Sequence, residues 1–356
     1  MKIDFFISSL SGGGAERVLV TMAKKFAEQG DDVSVVSLEK RPQFYKVDFK
    51  VAFKRFNNVG KSFSSLRDLL CIRKFIKQRK ADASISFLSR CNLIVLFASL
   101  FTKNKIIVCD RNNPQREHSA LVFWLTGWLY RRANVINVQT EQVKSFYPRS
   151  LQKKITVIEN PLDVDHLQRQ VLEMPKREKI ILSMGRLENQ KDFETLIVAF
   201  EKISKDVPDW NVNIFGLGDN RQKLQELIDS KGLRDRVFLK GRTETPFYEM
   251  CRSSVFVLSS FYEGFPNVLC EAMHAGCLCI SSDCDCGPRD LLNSGENGWL
   301  FPVQNVNTLA ELIKNSIEKI DQLDHIRTAA QETVKRLYVE SITQKWKLMI
   351  QNMVGV

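Results

Sequence analysis

The stretch IDFFISSLSGGGAERVLVTMAKKFA, residues 3–27, contains the signals that decide the fold. It begins with a β-rich apolar run, Ile3–Ser8, which is followed by a glycine-rich turn. Apolar residues then recur at helical spacing over 15–29. A strand, a loop and a helix in this order form one β/α unit, which is the repeating element of a parallel sheet.

The same alternation of strands and helices continues along the chain. In the first half, strands are predicted at Ile3–Ser8, Val33–Leu38, Ala83–Leu88, Lys105–Cys109, Val135–Gln139 and Ile155–Ile158. After a polar stretch at 163–179, a second series is predicted at Ile180–Met184, Asn211–Phe215, Val237–Leu239, Val255–Leu258 and Leu278–Ser281. We therefore predict an α/β protein with two doubly wound, Rossmann-like parallel-sheet domains, 1–165 and 166–337, that face a central cleft.

Composition agrees with a soluble globular protein, because 44% of the 356 residues are hydrophobic and 26% are charged. The N-terminal apolar run is too short for a signal peptide, and no run reaches the length of a membrane span. Nine cysteines without a secretory signal lead us to expect a cytosolic protein with reduced thiols.

Charge is distributed unevenly along the chain. Residues 1–158 contain 28 lysines and arginines against 12 aspartates and glutamates, a net +16, whereas the remainder contains 24 and 29, a net −5. This asymmetry predicts that the first half meets an anionic partner. Nucleic acid and anionic lipid both fit the charge.

The glycine-rich loop SLSGGGAER, residues 9–17, opens the first helix. Its three glycines, including Gly13 and Gly14, allow backbone N–H groups to approach an anion at the helix N-terminus. The sequence lacks the GxGxxG pattern of dinucleotide sites, and a plain strand-to-helix turn is the alternative. We favour contact with a phosphate group.

A second loop, in MGRLENQKDFETL (residues 184–196), follows the first strand of the second series. It carries Arg186 and Lys191, and Asp192 is placed to cap the next helix. Two cations at the carboxyl end of a strand suit a diphosphate, although each alone would be read as a solvated loop charge.

The segment FYEGFPNVLCEAMHAGC, residues 261–277, holds two glutamates. Glu263 is predicted in a loop and Glu271 in an otherwise apolar helix whose first position suits Pro266. A carboxylate in apolar surroundings needs hydrogen-bond partners, which sugar hydroxyls can supply. The alternative is a helix-start acid and a surface acid. The nearby CLC and CDC pairs, at 277–279 and 284–286, match zinc knuckles poorly, so no metal site is predicted.

Together these segments resemble glycosyltransferase family 4. The resemblance is carried over nearly the whole chain by GGGAER, GRLENQKD and EGFPNVLCE, followed by GPRDLL and ENGWLFPV. A narrower likeness is to bacterial enzymes that add N-acetylhexosamine, often GalNAc, to lipid-linked glycans. The family implies a GT-B fold, a UDP-linked or other nucleotide-sugar donor, retention of anomeric configuration and no required metal or other cofactor.

The family also implies roles for individual residues. Arg186 and Lys191 would grip the donor diphosphate, and Glu263 would contact the transferred sugar. The other donor-binding positions that the resemblance implies are Gly13, Gly14, Gly185, Arg242, Phe265, Pro266, Asn267 and Glu271. The final helix, 338–356, would cross back to the first domain.

One segment departs from the family. Many members carry a histidine after the fourth strand, where this chain reads VCDRNNPQREH. Arg111 stands at the expected position and His118 lies seven residues further on. Arg111 can bind a phosphate group, but an arginine cannot act as a base near neutral pH. Asp110 is a candidate partner in activating the acceptor.

The basic first half contains two segments typical of a membrane interface. The helical pattern SSLRDLLCIRKFIKQRK, residues 64–80, has an apolar side at Leu66, Leu69, Leu70, Phe75 and Ile76. Its cations include Arg67, Arg73, Lys74 and Lys77. The segment 122–132 mixes aromatic residues with arginines. We expect peripheral attachment to anionic lipids of the inner leaflet, with some cations holding the diphosphate of a lipid-linked acceptor, and no nucleic-acid partner.

Two rival functions remain at this point. One is a GT-B-like epimerase, and the other is a non-catalytic module that binds anions or sugars. The joint presence of Arg186, Lys191, Glu263 and Glu271 favours the transferase.

Overall fold

A computed structural model describes residues 1–39, 41–56, 66–111 and 126–355, with only the backbone given for 66–68. The predicted His118 and residues 122–125 of the aromatic segment 122–132 lie outside these residues. The chain forms two compact units, one made of Met1–Pro161 with Leu337–Val356 and the other of Leu162–Arg336. The sequence placed the first boundary a few residues later, between 165 and 166.

The first unit is built on a parallel sheet of seven strands in the order β3-β2-β1-β4-β5-β6-β7. The strands are β1 (Lys2–Ile7), β2 (Asp32–Ser37), β3 (Ala52–Arg55), β4 (Ala83–Phe87), β5 (Ile106–Cys109), β6 (Val135–Val138) and β7 (Ile155–Val157). The central strand β1 pairs with both β2 and β4, so that Ile3 lies opposite Val33 and Ala83. The predicted doubly wound α/β unit is confirmed.

Helices cover both faces of this sheet. They are α1 (Gly14–Glu28), α2 (Leu66–Arg79), α3 (Ser89–Ala98), α4 (Glu141–Ser145), α5 (Arg149–Gln152) and the final helix of the chain, for which we reserve α14 (Val339–Val354). The final helix packs on α1, where Trp346 is 1% exposed and Thr343 Oγ1 lies 3.8 Å from Met22 Sδ. An ion pair of 2.6 Å between Lys25 and Glu340 joins the same two helices.

The second unit is built on a six-stranded parallel sheet in the order β10-β9-β8-β11-β12-β13. Its strands are β8 (Glu178–Met184), β9 (Asn211–Phe215), β10 (Val237–Gly241), β11 (Ser253–Leu258), β12 (Leu278–Ser282) and β13 (Trp299–Phe301). Its helices are α6 (Val164–Gln168), α7 (Phe193–Ile203), α8 (Arg221–Ser230), α9 (Pro246–Arg252), α10 (Asn267–His274), α11 (Pro288–Leu291), α12 (Val306–Glu318) and α13 (Asp324–Lys335), with short 3-10 turns at Asn189–Lys191 and Ile320–Gln322.

The structure corrects the predicted elements in three places. Strands β3 and β13 were missed because both are short edge strands without a clear alternating pattern. Helix α10 begins at Asn267, one residue after the predicted Pro266. In α2 the buried side is formed by Ile72 and Ile76, both 0% exposed, whereas Leu70 is 57% exposed and does not belong to it.

Candidate functional site

The carboxyl edge of the second sheet collects the predicted donor-binding residues of that unit. Gly185, Arg186 and Lys191 follow β8, Arg242 follows β10, and the segment from Glu263 to Asn267 follows β11. Because the strands are parallel, all these loops leave the sheet at one edge, which is where open α/β sheets bind ligands.

The centre of this edge is an ion pair between two predicted site residues that are 72 positions apart. Lys191 Nζ lies 2.5 Å from Glu263 Oε1, and the two side chains are only 15% and 8% exposed. The hydroxyl of Ser260 donates to the same Glu263 oxygen over 2.6 Å. Both charged groups are therefore held in one orientation, although sequence spacing gave no sign that they meet.

Glycines allow other parts of the chain to pack closely against the loop after β8. A Cβ atom added at Gly185 would meet three carbons of the Lys191 side chain at 3.1 Å, so this stem packs directly over the glycine. At Gly216, after β9, an added Cβ would lie 1.8 Å from the carbonyl oxygen of Gly185. Only glycine fits there, and the signal for this close approach, the G-x-G of FGLGD, was not among the predicted motifs.

Arg186 is placed differently from Lys191. Its guanidinium is 68% exposed and pairs with Glu188 over 3.0 Å. The two cations predicted to act together thus have separate partners, and Arg186 is the one that faces solvent. An exposed pair of this kind contributes little to stability, so Arg186 is available to a ligand at small cost.

The two predicted helix-cap and helix-interior acids occupy buried positions. Asp192 caps α7 as predicted, accepting the Thr195 hydroxyl over 2.6 Å, and burial raises the pKa of this carboxyl. Glu271 lies in α10 among buried apolar residues and is itself 4% exposed. The alternative interpretation of Glu271 as a surface acid is therefore wrong.

A thiol not predicted as part of the site lies beside the ion pair. Cys284 is 3% exposed, and burial, with a further contribution from the Glu263 charge, raises the pKa of its thiol to about 12. The thiol thus stays neutral and unreactive. In the described ranges, which include all nine cysteines, no group of three or more His, Cys, Asp or Glu is placed to hold a metal ion.

In the first unit, the glycine-rich loop binds a carboxylate of its own chain. Glu16, 7% exposed, accepts the N–H groups of Gly12 and Gly13 at 2.5 and 2.9 Å and the Ser9 hydroxyl at 3.1 Å. The Gly13 N–H proposed for a donor phosphate therefore already has an internal acceptor, and the contact with a phosphate stays a prediction. The signal was the spacing of Glu16 three residues after the N-cap Gly13.

Arg111 is buried at the carboxyl end of β5. It is 7% exposed, stacks 4.6 Å over the Phe87 ring and donates to Asn160 Oδ1 over 2.7 Å. Within the described residues its Nε and Nη2 atoms have no hydrogen-bond partner. Burial lowers the pKa of the guanidinium, which nevertheless remains a cation near neutral pH.

Asp110, the candidate partner in acceptor activation, is engaged inside the unit. Its Oδ1 accepts from the Tyr130 hydroxyl at 2.7 Å and from Asn92 at 3.0 Å, and its Oδ2 accepts from the Tyr147 hydroxyl. A carboxylate that accepts three buried hydrogen bonds is a structural anchor for these side chains, and the geometry gives no support to a role as a base.

On α2, the predicted cations separate into two groups. Lys74 and Lys77 are exposed. Arg73, in contrast, donates to the carbonyl oxygens of Ala98, at 3.2 Å, and Leu100. Nη1 of Arg73 thus serves the carbonyl groups at the end of α3, which need donors, and a ligand contact by its other nitrogens stays a prediction. Arg67 lies in α2, but its side chain is outside the described atoms. No helix of the described chain is long and apolar enough to cross a bilayer.

Comparison with known proteins identifies the family. Residues 12–166 match the family described as Glycosyltransferase Family 4, and residues 164–333 match Glycosyl transferases group 1. The chain belongs to glycosyltransferase family 4. It is thus an enzyme that transfers glycosyl groups, and the rival reading as a non-catalytic module is set aside.

Two relatives from Campylobacter jejuni are similar over nearly their full lengths. One, 27% identical over 98% of each chain, is named GalNAc-alpha-(1->4)-GalNAc-alpha-(1->3)-diNAcBac-PP-undecaprenol alpha-1,4-N-acetyl-D-galactosaminyltransferase. The other, 28% identical over 94% of each, is an N-acetylgalactosamine-N,N'-diacetylbacillosaminyl-diphospho-undecaprenol 4-alpha-N-acetylgalactosaminyltransferase. Among solved structures, Anabaena HepE in complex with UDP aligns with a TM-score of 0.82 at 20% identity, covering 99% of this chain and all of that one. The predicted GT-B class of two Rossmann-like domains is confirmed.

Proposed function

We propose that this glycosyltransferase moves a hexose or N-acetylhexosamine, with GalNAc favoured, from a UDP-sugar to a glycan linked to undecaprenyl diphosphate, with retention of anomeric configuration. The observation that carries the proposal is the Lys191–Glu263 pair, held at 2.5 Å at the carboxyl edge of the second sheet. The names of the two Campylobacter relatives support the choice of sugar and of acceptor class.

The geometry supports different roles for the two donor-site cations, Lys191 and Arg186. Departure of the sugar places negative charge on the diphosphate leaving group, and a fixed cation stabilises that charge more than it stabilises the bound substrate. Lys191 is fixed by its stem over Gly185 and by Glu263, yet an ammonium group has three donors and can still reach a phosphate oxygen. Arg186 is exposed and joins the diphosphate from solvent.

Glu263 is suited to contact the transferred sugar. Its Oε1 atom already accepts from Lys191 and Ser260, which leaves Oε2 to accept a sugar hydroxyl. Glu271, on the helix that follows, is proposed to bind the ribose hydroxyls. Arg242, Phe265, Pro266 and Asn267 complete the proposed donor contacts. Because Arg186 and Lys191 supply positive charge, no metal or other cofactor is required in this proposal.

The first unit is proposed to bind the acceptor. Lys74 and Lys77 would hold the acceptor diphosphate from the exposed side of α2. Arg111 presents two buried N–H-bearing nitrogens that have no partner among the described residues, which suits an anionic group of either substrate. Gly13 would contribute only if a donor phosphate replaces the Glu16 carboxylate at its N–H group, and Gly14 would contribute its own N–H group. Synthesis of surface polysaccharide or of another lipid-linked glycan would place the enzyme on the cytoplasmic face of the inner membrane.

The experiment is a donor panel. The purified chain is incubated with each of several UDP-sugars and an undecaprenyl-diphosphate-linked oligosaccharide, and UDP release and the anomeric configuration of the product are measured. Transfer of one sugar with retention supports the proposal. Interconversion of the UDP-sugars without transfer would instead favour the epimerase.

A further inference from the structure

A second basic site lies on the first unit, at the end of the sheet opposite Arg111. A cavity of about 250 Å³ opens where β5 and β6 begin. Its lining includes Phe101, Thr102, Lys103, Lys105, Arg132 and Asn134. Because the strands are parallel, these amino ends stand at the edge away from the loop that carries Arg111.

The charge of this cavity is of one sign. The sequence has no aspartate or glutamate between 99 and 109 or between 126 and 140, yet it places Lys103, Lys105 and Arg132 around the opening. In the described part of the chain, none of these three cations forms an ion pair. Loop lysines are usually balanced or dispersed, so three unpaired cations on one concave surface indicate an anionic ligand.

The cavity is held in shape by hydrogen bonds. Asn134 Oδ1 accepts the N–H of Ile106 and the Asn134 N–H donates to the Ile106 carbonyl, both at 2.9 Å, which fixes the floor and leaves the side-chain amide free to donate. The carbonyl groups at the end of α3 would repel an anion, but Arg73 neutralises those of Ala98 and Leu100. The rim is thus built to be positive.

An exposed aromatic side chain stands on the same loop. Phe101 is 88% exposed and adopts a left-handed backbone conformation with φ of 59°. The left-handed conformation strains the backbone of a bulky residue. Because the ring is exposed, its packing does not stabilise the fold and so does not offset this strain. In the last turn of the adjoining helix α3, Phe97 is 46% exposed. Apolar side chains beside cations are the mixture that binds at a membrane interface.

We propose that this cavity binds the phosphate of an anionic phospholipid headgroup while Phe101 enters the interfacial layer. A volume of about 250 Å³ suits a headgroup phosphate, and it lies below the roughly 300–1,000 Å³ of pockets for larger ligands such as a nucleotide sugar. The proposed acceptor cations Lys74 and Lys77 do not line this cavity. The inference rests on the proposed function in one respect: a membrane-linked acceptor is the reason for the enzyme to be at a membrane.

The test measures binding of the full chain to vesicles without donor or acceptor. Vesicles of phosphatidylcholine are compared with equimolar phosphatidylcholine and phosphatidylglycerol by co-sedimentation. The variant Lys103→Gln/Lys105→Gln/Arg132→Gln is expected to bind the anionic vesicles about 10²-fold more weakly, at about fivefold for each cation lost. The control Lys202→Gln/Lys205→Gln/Lys319→Gln makes the same change in net charge on the second unit and is expected to bind like the unchanged chain.

Phe101→Asn tests the aromatic contribution separately. Asparagine tolerates the left-handed conformation, so the fold is preserved while the ring is lost. This variant should bind anionic vesicles several-fold more weakly even at high salt, where charge is screened. Equal losses in the cavity variant and in its control would overturn the proposal.

A further arm separates the lipid from a soluble anion. Binding of inorganic phosphate and of glycerol phosphate is followed by ³¹P NMR. Cavity-dependent phosphate binding with unchanged vesicle binding would show a site for a free anion and would also overturn the proposal. UDP-sugar hydrolysis, measured on the same variants, is expected to be unchanged. Its absence in the unchanged chain would count against the proposed function and leave the vesicle result standing.

Discussion

Replacing Lys191 by methionine tests the centre of the proposed donor site. Methionine keeps the apolar stem that packs over Gly185 and removes only the charge that lies 2.5 Å from Glu263 Oε1. Glu263 is 8% exposed and would remain buried without its cation. We expect the free energy of unfolding to fall by about 3 kcal/mol, the lower end for a broken buried pair, because the Ser260 hydroxyl stays bound to the carboxylate.

A double variant separates this loss of stability from the loss of activity. Lys191→Met/Glu263→Gln removes both charges, so no uncompensated carboxylate remains and most of the stability should return. In both variants kcat/KM should be ~10²-fold or more below that of the unchanged chain, because each lacks a donor that stabilises charge on the leaving group. Urea denaturation reports stability, and the rate of UDP release reports activity.

Lys223→Met is the matched control. Lys223 lies 2.6 Å from Glu194, a pair almost as short as the first, but the two side chains are 62% and 41% exposed. This substitution should change neither stability nor turnover appreciably. Near-normal kcat/KM in Lys191→Met with the fold intact would refute the role of Lys191. A double variant as unstable as the single one would refute the electrostatic explanation of its stability.

Four further predictions concern other parts of the molecule. Arg186→Ala should lower kcat/KM by ~10²-fold while stability, measured by urea denaturation, changes by less than about 0.5 kcal/mol; near-normal turnover would contradict the assignment. Transfer should persist in excess chelator, and a loss restored only by a divalent ion would argue against metal independence. Lys74→Glu/Lys77→Glu should spare donor hydrolysis but cripple transfer to a lipid-linked acceptor and weaken binding to anionic vesicles in a salt-sensitive way; equal transfer rates at low salt would sink this assignment. Burial lowers the pKa of His274 from its usual 6.5, so the unfolded chain takes up a proton first and stability falls as pH drops below that value. His274→Gln should flatten this decline in urea unfolding curves, and an unchanged slope would show that another group causes it.

Much of the fold could be predicted from sequence because its signals are local. Alternating β-rich runs and amphipathic helices indicate parallel sheets without knowledge of any long-range contact. Asp192 was placed correctly as a cap because capping depends on positions within one helical turn. Strands β3 and β13 escaped detection because a short edge strand acquires its form from the neighbour with which it pairs.

The sequence by itself also determined which residue types stand at the carboxyl edge of the second sheet, since each follows a strand that could be recognised. Only the tertiary structure decided their partners. It paired Lys191 with Glu263 across 72 positions and, in the first unit, gave Arg73 the carbonyl oxygens of Ala98 and Leu100. The physical reason is that a charged side chain takes the nearest acceptor or donor in space, and spacing along the chain does not specify which one that is.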